Sequence, residues 1–209
     1  MSLLLRGLYL LTPETADTPA LLRLVDAAIA GGAVLVQYRD KSADAARRGA
    51  QAARLQALCR ARGVPLVVND DVALAQAVGA AGVPLGEDDG EVAAARARLG
   101  ADAIIGASCY DSLERATAMA AAGADYLAFG SYFPSPTKPA ASRASLELLR
   151  DSARLGKPRV AIGGITPDNA PALVQAGADL LAVISAVAEA VDPLATAQAF
   201  ARLYRPGTA

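Results

Sequence analysis

The chain has 209 residues, 54% of them apolar, and its 20 basic and 21 acidic side chains leave a net charge of −1. It is long enough to bury a full core and too apolar to be disordered, and its charge balance gives no reason to expect nucleic acid or an anionic membrane as partner. It has no histidine, which excludes a Ser-His-Asp triad and a His-bound zinc site and leaves carboxylates, Lys, Arg, hydroxyls, backbone N–H groups or an oxygen-bound hard metal to carry any chemistry.

Eight apolar, strand-like runs follow one another: Gly7–Thr12, Val34–Tyr38, Pro65–Asn69, Gly82–Leu85, Ala103–Ser108, Tyr126–Gly130, Val160–Gly163 and Leu180–Ser185. Segments with helical punctuation separate them. Thr18-Pro19 offers an N-cap and an N1 proline ahead of Leu21, Val25, Ala28 and Ile29 on one face. Ser42 is expected to cap the next helix, which carries Leu55, Leu58 and Cys59 and stops at Gly63. Asp71, Asp111, Thr166-Pro167 and Asp192-Pro193 are further expected starts, and Asp111-Ser-Leu-Glu114 has capping-box spacing. Gly32-Ala-Val, Gly100-Ala-Asp, Gly123-Ala-Asp and Gly177-Ala-Asp each close a helix and lead into a strand.

A helix–Gly–strand unit recurring every ~25 residues predicts a single (β/α)8 barrel spanning residues 1–209, with its active site at the carboxyl ends of the strands. An open doubly wound sheet is disfavoured, because no Gly-rich fingerprint follows the first strand. The Pro- and Ser-rich stretch 131–142 is the longest irregular segment and a candidate lid. No apolar run is long enough to span a membrane, and Met1–Arg6 is too short and wrongly ordered for a signal peptide. Cys59 and Cys109 are therefore expected to be reduced, in a cytoplasmic protein. The Ala-rich segment Val92–Leu99 suits either a partner subunit or the barrel wall, so a homo-oligomer stays open.

The polar residues collect at the strand ends. Strand two ends with Gln37, Arg39 and Lys41, which period two puts on one side. An amide and two cations there make a poor core and a good grip for an anion. Strand three offers Asn69, Asp70 and Asp71; strand four Glu87, Asp88 and Asp89; strand five Ser108; the loop after strand six Ser135, Thr137 and Lys138. Asp70 and Asp89 follow neighbouring strands, where two carboxylates repel unless a cation lies between them. Oxygen ligands without His or Cys point to Mg²⁺, whereas Asp71 and Asp88 read better as helix caps. Arg39, Lys41, Asn69, Ser108 and Lys138 around that cation suit a diphosphate. Gly163-Gly164 and the Ser185 turn each precede a helix, so their N–H groups face outward at a second anion site where this fold habitually holds phosphate. Two anionic small molecules in one barrel suggest group transfer off a diphosphate to a phosphorylated acceptor, which needs no strong protein base if the acceptor has its own lone pair.

Six motifs in order resemble the thiamine-phosphate synthase (thiamine-phosphate pyrophosphorylase) family from about Gly7 to Ala199. They are Gln37-Tyr-Arg39-Asp-Lys41, Val68-Asn69-Asp70-Asp71, Gly86-Glu-Asp-Asp89, Pro136-Thr137-Lys138, Gly163-Gly164-Ile-Thr166 and Val183-Ile184-Ser185. The resemblance implies a transferase that joins 4-amino-5-hydroxymethyl-2-methylpyrimidine diphosphate to a thiazole monophosphate, through a pyrimidine carbocation captured by the thiazole nitrogen. It implies Mg²⁺ on Asp70 and Asp89, and diphosphate on Arg39, Lys41, Asn69, Ser108 and Lys138. Gln37 becomes a pyrimidine contact, and Ser135, Thr137, Gly164, Ile184 and Ser185 become contacts of the thiazole phosphate. Lys138, Arg39 and Ser108 carry the catalytic assignment.

One departure stands out: the family often has His-x-Gly-Gln where this chain has Pro84-Leu85-Gly86-Glu87. Pro84 suits an edge or bulge better than a central strand, and Glu87 replaces an amide by a charge. Two rivals are a phosphate-sugar isomerase using Asp70 with Lys138, and a regulatory relative that binds thiazole phosphate without synthase activity.

Overall fold

Eight strands alternate with helices in the computed structural model, which describes residues 6–134 and 143–205. The order is β1 (Gly7–Leu11), α1 (Thr18–Ala30), β2 (Ala33–Tyr38), α2 (Ala45–Arg62), β3 (Leu66–Val68), α3 (Val72–Val78), β4 (Gly82–Leu85), α4 (Val92–Leu99), β5 (Ile104–Tyr110) and α5 (Leu113–Ala121). Then come β6 (Tyr126–Phe129), α6 (Leu146–Asp151) with a 3-10 turn at Ser152–Leu155, β7 (Arg159–Ile162), α7 (Ala170–Gln175), β8 (Leu180–Val183), α8 (Ser185–Ala188) and α9 (Pro193–Arg202). Each strand pairs in parallel with the next, and β8 returns to β1, so the sheet closes into the expected (β/α)8 barrel. The four repeated glycines share one backbone conformation, with φ between +94° and +105° at positions 32, 100, 123 and 177. A side chain there would be strained, and glycine lets each helix turn back into its strand.

Helix starts follow side-chain reach, and several differ from expectation by a residue or more. Asp17, not Thr18, caps α1 by accepting from Ala20 N, and Asp44, not Ser42, caps α2 by accepting from Arg47 N. Ser112, not Asp111, caps α5 through Arg115 N. In each pair two cap-competent residues lie close together, and the backbone selects one. α7 begins at Ala170, so a turn separates it from Thr166-Pro167. Asp71 and Asp192 cap α3 and α9 as expected. Asp88 is not a cap: α4 starts after Glu91, which makes no side-chain cap bond.

Alternation along the strands divides the apolar residues into two sets. One faces the helices and includes Leu8, Val36, Ile105 and Leu181. The other fills the barrel and includes Tyr9, Leu35, Val67, Tyr126, Val160 and Leu180. Val92 and Ala95 are buried, which seats α4 on the barrel wall. Towards the carboxyl ends the inward positions turn small, with Ala128, Gly130 and Ala182, and the interior opens into a cavity of about 500 Å³.

The structure corrects the expectation for Pro84. It lies within β4 of a closed barrel, with neighbours on both sides. In a strand a residue's N–H and C=O point the same way, and the Pro84 carbonyl accepts from Asp70 N of the β3 side at 3.0 Å. The missing donor therefore faces β3. Pairing there reduces to one residue pair, Val67 with Gly82, against four between β4 and β5.

Candidate active site

The cavity at the carboxyl ends brings together most of the residues singled out above. Gln37, Arg39, Lys41, Asn69, Asp70, Asp89, Ser108, Gly164, Ile184 and Ser185 all line it. Ser135, Thr137 and Lys138 lie outside the described residues. Asp71 and Asp88 do not line it: the Asp71 carboxylate caps α3 and accepts from Arg48 Nη2 at 2.7 Å.

β2 supplies one wall. Gln37 is buried, and its Nε2 donates to Tyr9 Oη at 2.5 Å. Tyr9 Oη lies 2.9 Å from Tyr126 Oη across the barrel. Thr12, at the end of β1, braces the next inward residue, because its hydroxyl accepts from Arg39 N at 2.9 Å. Between these cavity residues Asp40 points away. It is buried and accepts from Arg47 and from Ser42 N. Burial alone would raise its pKa, but the hydrogen bonds from Ser42 and the Arg47 guanidinium hold it below the usual carboxylate value. This pins the exit of β2 that carries Arg39 and Lys41.

The carboxylate pair sits across β3 and β4. Asp70 has a left-handed backbone, φ +62°, a rare conformation for a residue other than glycine. Its carboxylate accepts from Asn69 Nδ2 and lies 3.5 Å from Lys41 Nζ. Asp89 is held by Gly86 N, which donates to its Oδ2 at 2.8 Å. A Cβ on Gly86 would collide with that oxygen, so glycine is what lets the turn close on the acid. Burial, and then the neighbouring Asp89 carboxylate within hydrogen-bonding reach, raise the Asp70 pKa, while Lys41 pulls it down. A carboxylate that resists ionisation beside another carboxylate is a site where a cation is favoured.

The donor chemistry fits Mg²⁺. Among the described residues no group of three or more acidic, thiol or imidazole side chains is placed to hold a metal. Held by Asp70 and Asp89, such an ion would take its remaining ligands from water and substrate oxygens, as is usual for it.

The opposite wall is built from backbone. Gly163 and Gly164 have φ of +104° and +62°, and a Cβ on either would strike the segment after β6, at Ser131 or at Pro134 O. That segment runs along the end of β7, with Tyr132 N donating to Ile162 O and Phe133 N to Gly163 O. Contrary to expectation, Gly163-Gly164 does not stand directly before a helix. A loop intervenes before α7, and Asn169 braces it by accepting from Thr166 N and donating to Gly164 O. Ser185 is the first residue of α8, with Ile184 before it.

Sequence reading missed Tyr9, Tyr126 and Tyr110, which line the same cavity. A signal existed for Tyr126: Gly106 interrupts an apolar strand, and a Cβ there would overlap the Tyr126 ring. Cys59 and Cys109 are buried and unpaired, with burial pushing both thiols up to about 12, so neither is a ready nucleophile.

Comparison with known proteins shows the family. The family described as thiamine monophosphate synthase matches residues 8–187. Thiamine-phosphate synthase of Xanthomonas campestris pv. campestris is 61% identical over 195 residues, covering 93% of this chain and 94% of that protein. That of Azoarcus sp. is 59% identical over 201 residues, covering 96% and 98%. The solved thiamine phosphate pyrophosphorylase of Pyrococcus furiosus superposes with a TM-score of 0.84 at 36% identity, covering 94% of each chain. A Mycobacterium tuberculosis tryptophan synthase chain, at 17% identity and a TM-score of 0.75 over 97% of this chain and 94% of that one, shares the fold alone. By sequence and by fold, the chain belongs to the thiamine monophosphate synthase family.

Proposed function

We propose that the chain is a transferase that joins 4-amino-5-hydroxymethyl-2-methylpyrimidine diphosphate to thiazole monophosphate, giving thiamine phosphate and diphosphate. The observation that carries this reading is one cavity with two unlike walls: paired carboxylates with Lys41, Arg39 and Asn69 on one side, glycine turns and Ser185 on the other. A reaction between a diphosphate and a monophosphate needs both. A purely regulatory binder of the monophosphate would leave the first wall without a ligand.

Asp70 and Asp89 would hold Mg²⁺, which when bound neutralises charge on the departing diphosphate. Arg39 and Lys41 face the same diphosphate as fixed cations, and Asn69 and Ser108 donate to its oxygens. Lys138 is assigned to the leaving group as well. Departure of diphosphate breaks the bond between the pyrimidine methylene carbon and oxygen; both electrons leave with the oxygen. The thiazole nitrogen lone pair then closes the new carbon–nitrogen bond at the resulting carbocation, so no protein base is required. Gln37 orients the pyrimidine. Because its Nε2 is engaged by Tyr9, its Oε1 is left to accept from the ring's amino group. Gly164 and Ser185 hold the thiazole phosphate through backbone N–H groups and a hydroxyl, with Ser135 and Thr137 assigned to the same phosphate and Ile184 packing beside it.

No helix among the described residues is long and apolar enough to cross a membrane. With both cysteines unpaired, we assign the enzyme to the cytoplasm. The test is diphosphate release from the pyrimidine diphosphate, run with and without thiazole phosphate, and with Mg²⁺ or EDTA. Release that needs both thiazole phosphate and metal is expected. Folded protein that releases none under any condition contradicts the assignment.

A further inference from the structure

Two non-glycine residues among those described have left-handed backbones, Asp70 and Tyr110, and both line the cavity. Such a conformation is strained and persists only where the surroundings impose it, typically at functional sites. Asp70 has a role in the reading above. Tyr110 has none, although more is invested in placing it.

Three features fix Tyr110. The pairing of β5 with β6 slips there: Ser108 pairs with Ala128 and Tyr110 with Phe129, so two steps on β5 match one on β6. A bulge of this kind bends a strand and re-aims a side chain. Cys109, the extra residue, is buried. Arg115 of α5 then clamps the bulge. Its Nε donates to Ser108 O at 2.7 Å, and its guanidinium stands 5.7 Å from the centre of the Tyr110 ring. Finally, the ring reaches back over β4. A Cβ built on Gly86 would stand 3.5 Å from Tyr110 Oη and would collide with Asp89 Oδ2, so hydroxyl and carboxylate flank the same point. Tyr110 keeps 38% of its surface exposed, a high value for an aromatic residue placed with this much support.

We propose that Tyr110 is a substrate-contacting residue whose hydroxyl donates a hydrogen bond to the diphosphate beside Asp89. The proposal rests on the reading of that wall as the diphosphate site. The bulge and the Arg115 clamp exist to turn a strand-end aromatic towards the mouth of the cavity, where a phenol adds a neutral donor to a site otherwise made of charges.

The test is calorimetric titration with inorganic diphosphate in the presence of Mg²⁺, comparing the unaltered protein with Tyr110→Phe. Phenylalanine keeps the ring, the backbone and the Arg115 contact and removes only the hydroxyl, and circular dichroism checks that the fold is intact. Diphosphate affinity is expected to fall about tenfold, the size of a hydrogen bond to a charged group, while thiazole-phosphate affinity stays unchanged. Equal diphosphate affinity in the two proteins overturns the proposal and leaves the synthase reading standing. An equal loss for both ligands shows a structural role and also overturns it. If the unaltered protein binds no diphosphate, this proposal and the diphosphate site fall together.

Discussion

The two walls of the cavity are built by different physics. The wall over β2 to β5 uses ionised side chains: Lys41 lies 3.5 Å from Asp70, Asp70 stands against Asp89, and both acids are held by neighbouring N–H donors. The wall over β7 and β8 is uncharged, with two successive glycines at positive φ packed against the segment after β6. A side-chain wall can balance several charges and can change its own charge by taking up a metal. A backbone wall holds a fixed, shape-selective cradle that tolerates no added side chain. On the function we propose, the first would take the leaving diphosphate and the second the phosphate that only anchors its substrate.

The largest expected effect comes from breaking the charged wall. Asp70→Asn should lower turnover by about a thousandfold, roughly 4 kcal/mol of lost transition-state stabilisation. It should leave the melting temperature unchanged or higher, because one of two opposed carboxylates is gone. Steady-state diphosphate release and a thermal melt check both halves. Turnover surviving in that variant separates the carboxylate pair from the chemistry.

Next in size, Gly164→Ala should damage the other wall alone. The Cβ meets Pro134 O, and the left-handed backbone adds strain of about 1 kcal/mol. The KM for thiazole phosphate should rise at least about tenfold, while diphosphate affinity is retained.

Ionic strength sharpens the contrast without mutation. Raising salt from about 0.05 to 0.5 M should weaken binding of the pyrimidine diphosphate several-fold, and that of thiazole phosphate less, because screening acts on the exposed Lys41.

The last effect, on stability and not on binding, concerns the support beneath the charged wall. Asp40→Asn removes the partner of Arg47 and should cost about 1–2 kcal/mol of stability, read by urea denaturation. The folded pKa of Asp40 lies below its unfolded value, so this contribution is full above about pH 4 and disappears as pH falls through the folded pKa. The gap between the two proteins should therefore be flat near neutrality and close in acid. A gap that widens in acid rules out this pairing as its source.

The barrel was legible because its signal is repeated. Eight apolar runs and four identical glycine turns constrain one another, and small errors in cap position do not accumulate. The charged wall was legible for a related reason: alternation along β2 and the end of β3 puts ionisable residues where a core should be. What stayed hidden depends on partners distant in sequence. Tyr9 and Tyr126 are separated by 117 positions and meet only once the barrel closes. Tyr110 depends on a register slip that no local pattern encodes. Pro84 misled for the opposite reason. Its local rule is sound, but the loss of one ladder bond is tolerated where the Pro84 carbonyl still binds Asp70 N.

The most direct test of the two-wall account is a crystal structure with thiamine phosphate and diphosphate bound, Mn²⁺ replacing Mg²⁺ so that the metal is located by anomalous scattering. The account predicts Mn²⁺ ligated by Asp70 and Asp89 and touching the diphosphate, with the phosphate of the product on the backbone of Gly164 and Ser185. The metal on the β7–β8 side, or the two anions exchanged between the walls, would contradict it.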